Sequence, residues 1–385
     1  MSIGFGIIGL GNRGYKYALH TIMKSKECHI EMVCDAHGNH FDQFPGISNT
    51  KEFTEVLENP KVDAVFIATP DDTHAEIVIQ AAKHKKHILC EKPLEISREK
   101  VQEIQVALRD FEGAFEVGYV LRYARLFQKV KSYLISGAIG DLHMINVMDH
   151  IPYGGYAYFH DWHRKRETST SLLLQKATHS LDIVNWYVDA KPREIAAFGR
   201  LSTMGKPGAL KKFGKEVASD LHCRTCVISD SCEESIQNIL KEKKISWSEN
   251  WPDSCVFNSE IDVDDHQTVM VQYENGTQLA YQLCLFGAYY KREFHIFGSG
   301  GELRFDDVSN EITIYDRLRN ETVTYKNDYA EEQMEPGDEE QLQDFILAVQ
   351  TGKKPISNLE SSITAALLAI DAQASIDQKK MIKSD

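Results

Sequence analysis

A lysine at the end of an apolar run is the first candidate for chemistry. The stretch "ILCEKPLEIS" places Lys92 between Glu91 and Pro93, directly after residues typical of a buried strand. Pro93 fixes the chain after the strand and disfavours a helical conformation at Lys92. This stretch alone leaves two interpretations of Lys92 open: its ammonium is solvated at the surface, or it is aimed at a ligand.

A second candidate lies near the middle of the chain. In "LLLQKATHSLDIVNW", Lys176, His179 and Asp182 recur every third residue, so they can share one face of a helix. Histidine has a reference pKa of about 6.5, which makes His179 a natural acid or base near neutral pH. Such a polar face would suit a ligand rich in hydroxyl groups. A solvated helix histidine and a solvated helix lysine are the alternatives.

The elements that position these residues follow from the hydrophobic pattern. Residues 1–120 alternate continuous apolar runs with helical stretches, which predicts a doubly wound parallel sheet with helices on both faces. Residues 121–385 predict an α+β domain with an open, largely antiparallel sheet, an insertion at about 205–258, and two C-terminal helices free to pack back on the first domain. The predicted fold class is α/β.

A glycine-rich turn lies at the start of the first predicted domain. In "GIIGLGNRG", Gly9 permits a tight turn, Gly11 lets the backbone approach a pyrophosphate, and Gly14 lets helix and strand pack closely. Asp35 ends the next strand, where a ribose would lie, and its charge favours NAD over NADP. Glycines kept only for packing are the alternative. The predicted cofactor contacts here are Gly9, Gly11, Asn12, Arg13, Gly14 and Asp35.

A longer stretch resembles a known family. Together with the glycine-rich turn and "HSLDIVNWY", the sequence "ATPDDTHAEIVIQAAKHKKHILCEKPLEIS" resembles the Gfo/Idh/MocA oxidoreductases, which include glucose-fructose oxidoreductase and inositol dehydrogenase. The resemblance implies a Rossmann domain that binds NAD(P), with Lys92 hydrogen-bonded to the reacting hydroxyl. It further implies cofactor contacts from Thr69, Pro70, His74 and Glu91.

The chain departs from the family pattern beside the histidine. Many members carry an aspartate four residues before it, whereas this chain has Gln175 four residues before His179. The carboxylate partner seen in inositol dehydrogenases is therefore absent from that position. This departure leaves the proton relay and the substrate open.

The expected reaction needs a proton acceptor. Oxidation of a secondary alcohol transfers a hydride to the nicotinamide, so the protein must supply a base, His179, and an orienting donor, Lys92. Side chains around the predicted cleft suit a sugar or polyol, although a structural role is open for each. These candidates are Arg122, Tyr123, His150, Trp162, Arg164, Lys176 and Asp182, with Tyr153 and His163 in the same aromatic loop.

Cysteines group in the predicted insertion. "HCRTCVISDSC" gives Cys223, Cys226 and Cys232, and Cys255 follows in "DSCVF". Four thiolates could close a tetrahedral structural zinc site. Free or packing thiols and a disulfide or iron-sulfur centre are the alternatives.

Composition excludes several classes of partner. The 385 residues carry a net charge of −14, which disfavours nucleic acid. No apolar run approaches the roughly 20 residues of a membrane span, and no export signal precedes the first strand, so a cytoplasmic protein is expected. An apolar outer sheet face predicts a homodimer or homotetramer.

The leading hypothesis is an NAD-dependent dehydrogenase of a sugar or polyol. The alternative is a redox-assisted enzyme that cleaves a glycosidic bond with tightly bound NAD and without net turnover of the cofactor. A third possibility, a protein that senses NAD without catalysis, is weakened by the presence of both Lys92 and His179.

Overall fold

A computed structural model describes residues 2–152, 154, 158–242, 244, 251–326 and 337–384. The chain forms two compact units. Unit 1 comprises Met1–Lys131 and Tyr329–Leu367, and unit 2 comprises Ser132–Asp328 and Leu368–Asp385. The domain boundary drawn from the sequence at residue 120 stays a prediction.

The sheet of unit 1 is built from the continuous apolar runs near the start of the chain. Its strands are β1 (Ile3–Ile8), β2 (Cys28–Cys34), β3 (Ser48–Thr50), β4 (Ala64–Ile67), β5 (His87–Cys90) and β6 (Phe115–Val117). Their order is β3-β2-β1-β4-β5-β6, and every pairing is parallel. This order reverses beside β1, so ligands are expected at the carboxyl ends of β1 and β4.

Helices cover both faces of this sheet, and further helices belong to unit 2. Those described are α1 (Asn12–His20), α2 (Phe53–Glu58), α3 (His74–Lys83), α4 (Arg98–Ala107), α5 (Arg125–Ile135), α6 (Arg166–Ser169), α7 (Thr178–Val188), α8 (Gly205–Phe213), α9 (Ile236–Glu242), α10 (Asp338–Thr351) and α11 (Leu359–Gln378). None of these helices combines the length and apolar character required to cross a bilayer.

The apolar core of unit 1 contains residues that are far apart in the sequence. Phe5 of β1 and Phe66 of β4 lie in one buried cluster with Leu342 and Phe345 of α10. The rings of Phe5 and Phe345 have centroids 5.9 Å apart. The helix α10 therefore completes the apolar core of unit 1.

Unit 2 contains a mixed sheet that is mostly antiparallel. Its strands are β7 (Leu142–Pro152), β8 (Pro192–Arg200), β9 (His266–Tyr273), β10 (Gln278–Gly287), β11 (Lys291–Gly298), β12 (Gly301–Asp306), β13 (Glu311–Asp316), β14 (Glu321–Lys326) and β15 (Ile382–Lys383). Over the described residues the order is β14-β13-β12-β11-β7-β10-β9-β8-β15. Only β7 and β10 pair in parallel among these strands. Together the two sheets confirm the predicted α/β fold class.

The two faces of the second sheet differ in exposure. The inner face is buried and carries side chains such as Val147, Tyr281 and Phe294. On the outer face, Phe198 is 75% exposed and Met270 is 58% exposed. The alternation along β8, β9 and β10 produces this division, because successive side chains of a strand point to opposite faces.

Candidate active site

The glycine-rich turn has the geometry that its sequence predicts. Gly9 has φ +92°, and a Cβ there would lie 2.5 Å from the carbonyl oxygen of Ala68. A Cβ on Gly14 would lie 2.0 Å from the carbonyl oxygen of Gly9, so only glycine allows this approach. A Cβ on Gly11 would meet nothing within 4 Å. The turn therefore leaves open space at the N-terminus of α1, whose first turn has no acidic residue.

Asp35 is held in place by backbone donors. Its Oδ1 accepts bonds from the N–H groups of His37 and Asn39 at 3.0 and 3.1 Å, and from the Asn39 side chain at 3.0 Å. Its Oδ2 accepts a bond from Leu10 N at 3.0 Å. A carboxylate has about four acceptor sites, so Oδ2 keeps the capacity to bind a ribose hydroxyl. The turn and Asp35 therefore fit an NAD molecule.

Arg13 is occupied by two carboxylates. Its guanidinium donates to Asp338 at the start of α10 through two bonds of 2.7 and 2.6 Å, and its Nε donates to Glu91 at 2.7 Å. Burial alone would lower the pKa of Arg13, but the two carboxylates raise it. In this structure Arg13 thus links the turn to α10 and to the segment that carries Lys92, while its predicted phosphate contact stays a prediction.

Lys92 lies at the carboxyl edge of the first sheet. It follows β5, whose residue Cys90 pairs with Ile67 of β4, and the Lys92–Pro93 peptide bond is cis. The buried Glu91 accepts a bond from the backbone N–H of Lys92 at 3.2 Å. Glu91 also packs on Gly118, where a Cβ would lie 2.8 Å from its Oε2.

Two buried side chains fasten the Lys92 segment to α3. The ring of His74 lies between the carbonyl oxygens of Thr69 and Pro93, at 3.1 and 2.9 Å. Burial lowers the pKa of His74, while the hydrogen bonds to the Pro93 and Thr69 carbonyl oxygens act in the opposite direction. Glu95 accepts a bond from the Ala75 N–H at 3.0 Å. Thr69 and His74 therefore brace the carboxyl edge of the first sheet, and their cofactor contacts, with that of Pro70, stay predictions.

A buried acid in the turn between β4 and α3 was not predicted from the sequence. Asp71 is 6% exposed, and its Oδ2 accepts no hydrogen bond from any described residue. Burial raises the pKa of Asp71 to about 8, and the positive charge of Lys92 opposes that rise. The signal in the sequence was an acid in "ATPDD", directly after a buried strand of a doubly wound sheet.

The histidine candidate follows an irregular helical turn in unit 2. Residues Leu173–Ala177 form a π-helical turn, and α7 begins at Thr178. Lys176 and His179 are half-buried, whereas Asp182 is fully buried. A π turn widens the helix and is frequent at functional sites. The sequence predicted a helix here but not this widening.

A buried carboxylate holds α7 on the second sheet. Asp149 of β7 accepts bonds from Ser180 and Tyr281 at 2.7 and 2.8 Å, and from Arg292 at 3.1 Å. Ser180 is the residue after His179, so this network fixes the helix at the histidine. The ammonium of Lys176 lies 5.1 Å from the ring centroid of Tyr290.

The end of β7 and the aromatic loop after it contain ion pairs and ring contacts. His150 contacts Glu293 at 2.9 Å, and the Nε of Arg164 donates to Glu260 at 3.0 Å. The Trp162 ring stacks on His163 with centroids 3.8 Å apart. Tyr153 lies outside the described residues. Substrate contact by these side chains stays a prediction.

Arg122 and Tyr123 have structural contacts inside unit 1. Arg122 is 3% exposed and donates to the carbonyl oxygen of Ile356 at 3.0 Å. Tyr123 donates to Asp344 of α10 at 2.9 Å and accepts from the Ser357 N–H at 3.2 Å. Both side chains therefore hold the segment around α10, a structural role that the sequence left open for them, and their contact with substrate stays a prediction.

The structure does not support the predicted zinc site. Within the described part of the chain, which includes all four cysteines, no three His, Cys, Asp or Glu side chains form a group that could hold a metal. Cys223 instead packs with Ile236 and Leu240. Burial raises the pKa of Cys255 to about 12, with further increases from Cys223, Cys232 and Cys226, and burial also raises the pKa of Cys223. Cys226 and Cys232 are partly exposed free thiols.

Models of known families match most of the chain. Residues 3–119 match an oxidoreductase family with an NAD-binding Rossmann fold. Residues 127–304 match the GFO/IDH/MocA C-terminal domain. The two matches together cover well over half of the sequence and fall in units 1 and 2.

Individual relatives include sugar and polyol enzymes. The chain is 23% identical to the myo-inositol 2-dehydrogenase of Thermotoga maritima over 384 residues, which cover 98% of this chain and 97% of the relative. It is 27% identical to the 2,7-anhydro-N-acetylneuraminate hydratase of Escherichia coli over 218 residues, 56% of each protein.

A solved structure shares the fold. Levoglucosan dehydrogenase, in a complex with NADH and levoglucosan, superimposes with a TM-score of 0.76 at 18% identity, covering 100% of this chain and 99% of that one. With the two family models and the glycine-rich turn already described, the matches identify the protein as a member of the Gfo/Idh/MocA oxidoreductase family.

Proposed function

We propose that the protein is an NAD-dependent dehydrogenase that acts on a secondary hydroxyl or keto group of a sugar or polyol. The proposal rests on one observation. The glycine turn, which has space for a pyrophosphate, lies on the same edge of the sheet as Lys92, and so does Asp35, whose carboxylate is held by hydrogen bonds. The inositol and levoglucosan dehydrogenases among the similar proteins support the substrate class.

The residues have separate tasks in this proposal. Bound NAD supplies a hydride acceptor. The ammonium of Lys92 donates a hydrogen bond to the substrate oxygen and orients the carbon that loses the hydride. The imidazole of His179 accepts the hydroxyl proton and returns it in the reverse direction. Arg13 and Glu91 keep the Lys92 segment fixed beside the nucleotide turn.

The test of this function uses substitutions of the two central residues. Purified protein with NAD and a panel of sugars, sugar acids and polyols should form NADH with at least one compound. Lys92→Met and His179→Gln should each lower kcat/KM by about 100-fold or more, because each removes a group that acts on the reacting oxygen. The matched control is Lys83→Met, at an exposed lysine of α3. Near-normal turnover in either variant would contradict the mechanism.

Cofactor choice is tested separately. The Asp35 carboxylate favours NAD because it would repel the 2′-phosphate of NADP. Calorimetric titration should give a lower dissociation constant for NAD than for NADP, and tighter NADP binding would overturn this preference.

A second candidate function follows from one relative. The hydratase name of the Escherichia coli protein describes chemistry on an anhydro sugar without net oxidation. A redox-assisted glycoside-cleaving enzyme would likewise release product without accumulating NADH. Measuring NADH and sugar products in the same reaction separates the two functions. Binding of NAD without turnover of any compound would instead favour an NAD-sensing protein.

We further propose that the protein assembles as a homodimer or homotetramer through the outer face of the second sheet. The exposed Phe198 and Met270 on that face support the assembly. A cytoplasmic location stays a prediction.

A further inference from the structure

The loop that follows β2 contains a side chain that has no task in the proposed reaction. Asn39 is exposed, so it fills no part of the apolar core. Its side-chain nitrogen nevertheless donates to Asp35 Oδ1 at 3.0 Å, and its backbone N–H donates to the same oxygen at 3.1 Å. Two donors of one residue therefore converge on the carboxylate that lies directly after β2.

The donors to Asp35 are unevenly divided between its two oxygens. Among the described residues, Oδ1 accepts both bonds from Asn39 and one from the His37 N–H at 3.0 Å, whereas Oδ2 accepts one bond, from Leu10 N at 3.0 Å. A carboxylate oxygen has two lone pairs, so these donors saturate Oδ1. The remaining acceptor capacity lies on Oδ2, and the Asn39 side chain helps to fix that division.

The backbone of this loop is held without the Asn39 side chain. The Gly38 N–H donates to the Asp35 carbonyl oxygen at 2.9 Å, and Gly38 has φ +76°. The His40 ring stacks on the ring of Tyr15 in α1, with centroids 4.2 Å apart. Removal of the Asn39 side chain should therefore delete one hydrogen bond and leave the backbone donors in place.

The donors to Asp35 orient its carboxylate without cancelling its charge. They are backbone N–H groups and one neutral amide, in contrast to the guanidinium of Arg13 that binds Glu91. A negative charge fixed beside the ribose repels a 2′-phosphate and accepts a bond from a ribose hydroxyl. A carboxylate with more freedom to rotate would lose part of that directed bond and could turn away from the phosphate.

We propose that Asn39 is a positioning residue that orients Asp35 and thereby sets the preference for NAD over NADP. This inference rests on the proposed binding of NAD beside Asp35 and deepens it. The side-chain amide keeps Oδ2 as the acceptor for a ribose hydroxyl, and it keeps the negative charge where a 2′-phosphate would lie.

Closure of the loop alone is the competing explanation. The two cofactors differ only in the 2′-phosphate, so a loosened loop would weaken the binding of both by the same factor. An orienting role instead changes the ratio of the two dissociation constants. That ratio therefore separates the two explanations.

The first experiment is calorimetric titration of NAD and NADP into the full chain. In Asn39→Ala the dissociation constant for NAD should rise about fivefold, the effect of one hydrogen bond, while that for NADP should change by less than about twofold. The matched control is Gln43→Ala, because Gln43 is an exposed amide that donates to Asp42 at 2.6 Å. This control should leave both dissociation constants at their wild-type values. Equal factors for NAD and NADP in Asn39→Ala would refute the positioning role.

A second variant, Asn39→Asp, tests the donor itself. Its side chain has nearly the same shape but places a second carboxylate against Asp35, so repulsion replaces the hydrogen bond. NAD should bind to Asn39→Asp at least as weakly as to Asn39→Ala. Thermal unfolding without cofactor checks that both variants are folded. Wild-type affinity for NAD in folded Asn39→Asp would overturn the proposal.

Failure of the proposed function gives a different result. A wild type that binds neither cofactor, or that binds NADP more tightly, would refute the cofactor assignment and this inference with it. A wild type that prefers NAD, together with an Asn39→Ala variant of the same preference, would refute this inference alone.

Discussion

Arg13 lies inside the glycine-rich turn, yet its guanidinium binds Glu91 and Asp338. Both carboxylate side chains are largely buried, at 9% and 11% exposure, while that of Arg13 is 28% exposed. Bidentate pairing of arginine with a carboxylate is among the stronger side-chain contacts. The side chain thus ties the cofactor turn to two distant parts of unit 1.

We expect Arg13→Ala to destabilise the protein. The change leaves Glu91 and Asp338 without their cation in a poorly solvated place, at a cost of about 2 kcal/mol in the free energy of unfolding. Urea unfolding of Arg13→Ala, Asp338→Ala and the double variant measures the coupling energy. The exposed Lys26→Ala serves as control. Additive effects of the two substitutions would show that the ion pair between Arg13 and Asp338 contributes no coupling energy to stability.

Individual residues were predictable from sequence only where the reason is local. Gly9 and Gly14 follow from the steric demands of a turn, whereas the ribose contact expected of Asp35 from its place at a strand end stays a prediction. The partner of Arg13 was not predictable, because Asp338 is 325 positions away. That Asp71 Oδ2 has no hydrogen-bond partner within the described part of the chain likewise depends on packing that no local pattern encodes.

At the scale of elements, substitutions at two glycines of the turn should have different effects, one on folding stability and the other on cofactor binding. We expect Gly14→Ala to lower the melting temperature, because its Cβ would collide with the Gly9 carbonyl oxygen at 2.0 Å. Gly11→Ala should leave the melting temperature unchanged, because its Cβ enters open space. The same Cβ should weaken NAD binding by about tenfold or more, since it projects where the backbone must approach the pyrophosphate.

Thermal unfolding and NAD titration of both variants make this comparison. A destabilised Gly11→Ala would mean that the turn is packed more tightly than its geometry indicates. Normal NAD affinity in Gly11→Ala would mean that the pyrophosphate lies elsewhere.

Most elements of both units were predictable because their hydrophobic periods are clear. The buried strands β1 and β4 are continuous apolar runs, and the β9–β10 hairpin turns at Gly276, which has φ +86°. The short β3 was missed because "SNT" contains no apolar residue. The parallel pairing of β7 with β10 was missed because strand neighbours distant in sequence leave no local pattern.

At the scale of the whole molecule, the outer face of the second sheet bears on assembly. Phe198, Met270 and Met144 share this face through the register of β8, β9, β10 and β7, and each is at least 45% exposed. Contiguous exposed apolar side chains mark interaction surfaces. This is the surface assigned above to a homodimer or homotetramer.

We expect the double variant Phe198→Asp/Met270→Asp to be monomeric by light scattering, because two charges would have to be buried in the interface. Leu318→Asp is the matched control, since Leu318 is 76% exposed in the turn between β13 and β14. A monomeric wild type, or an assembly that survives the double substitution, would contradict this interface.

The contact between Arg13 and Asp338 also has a consequence for biosynthesis. The N-terminus of the chain leaves the ribosome first, so the glycine-rich turn emerges long before α10. That helix supplies Asp338 and the core residue Phe345. Until then the sheet has an uncovered apolar surface at Phe5 and Phe66. Nascent chains that stall before α10 should therefore be bound by chaperones and cleaved by proteases, although they already contain every residue of the glycine turn.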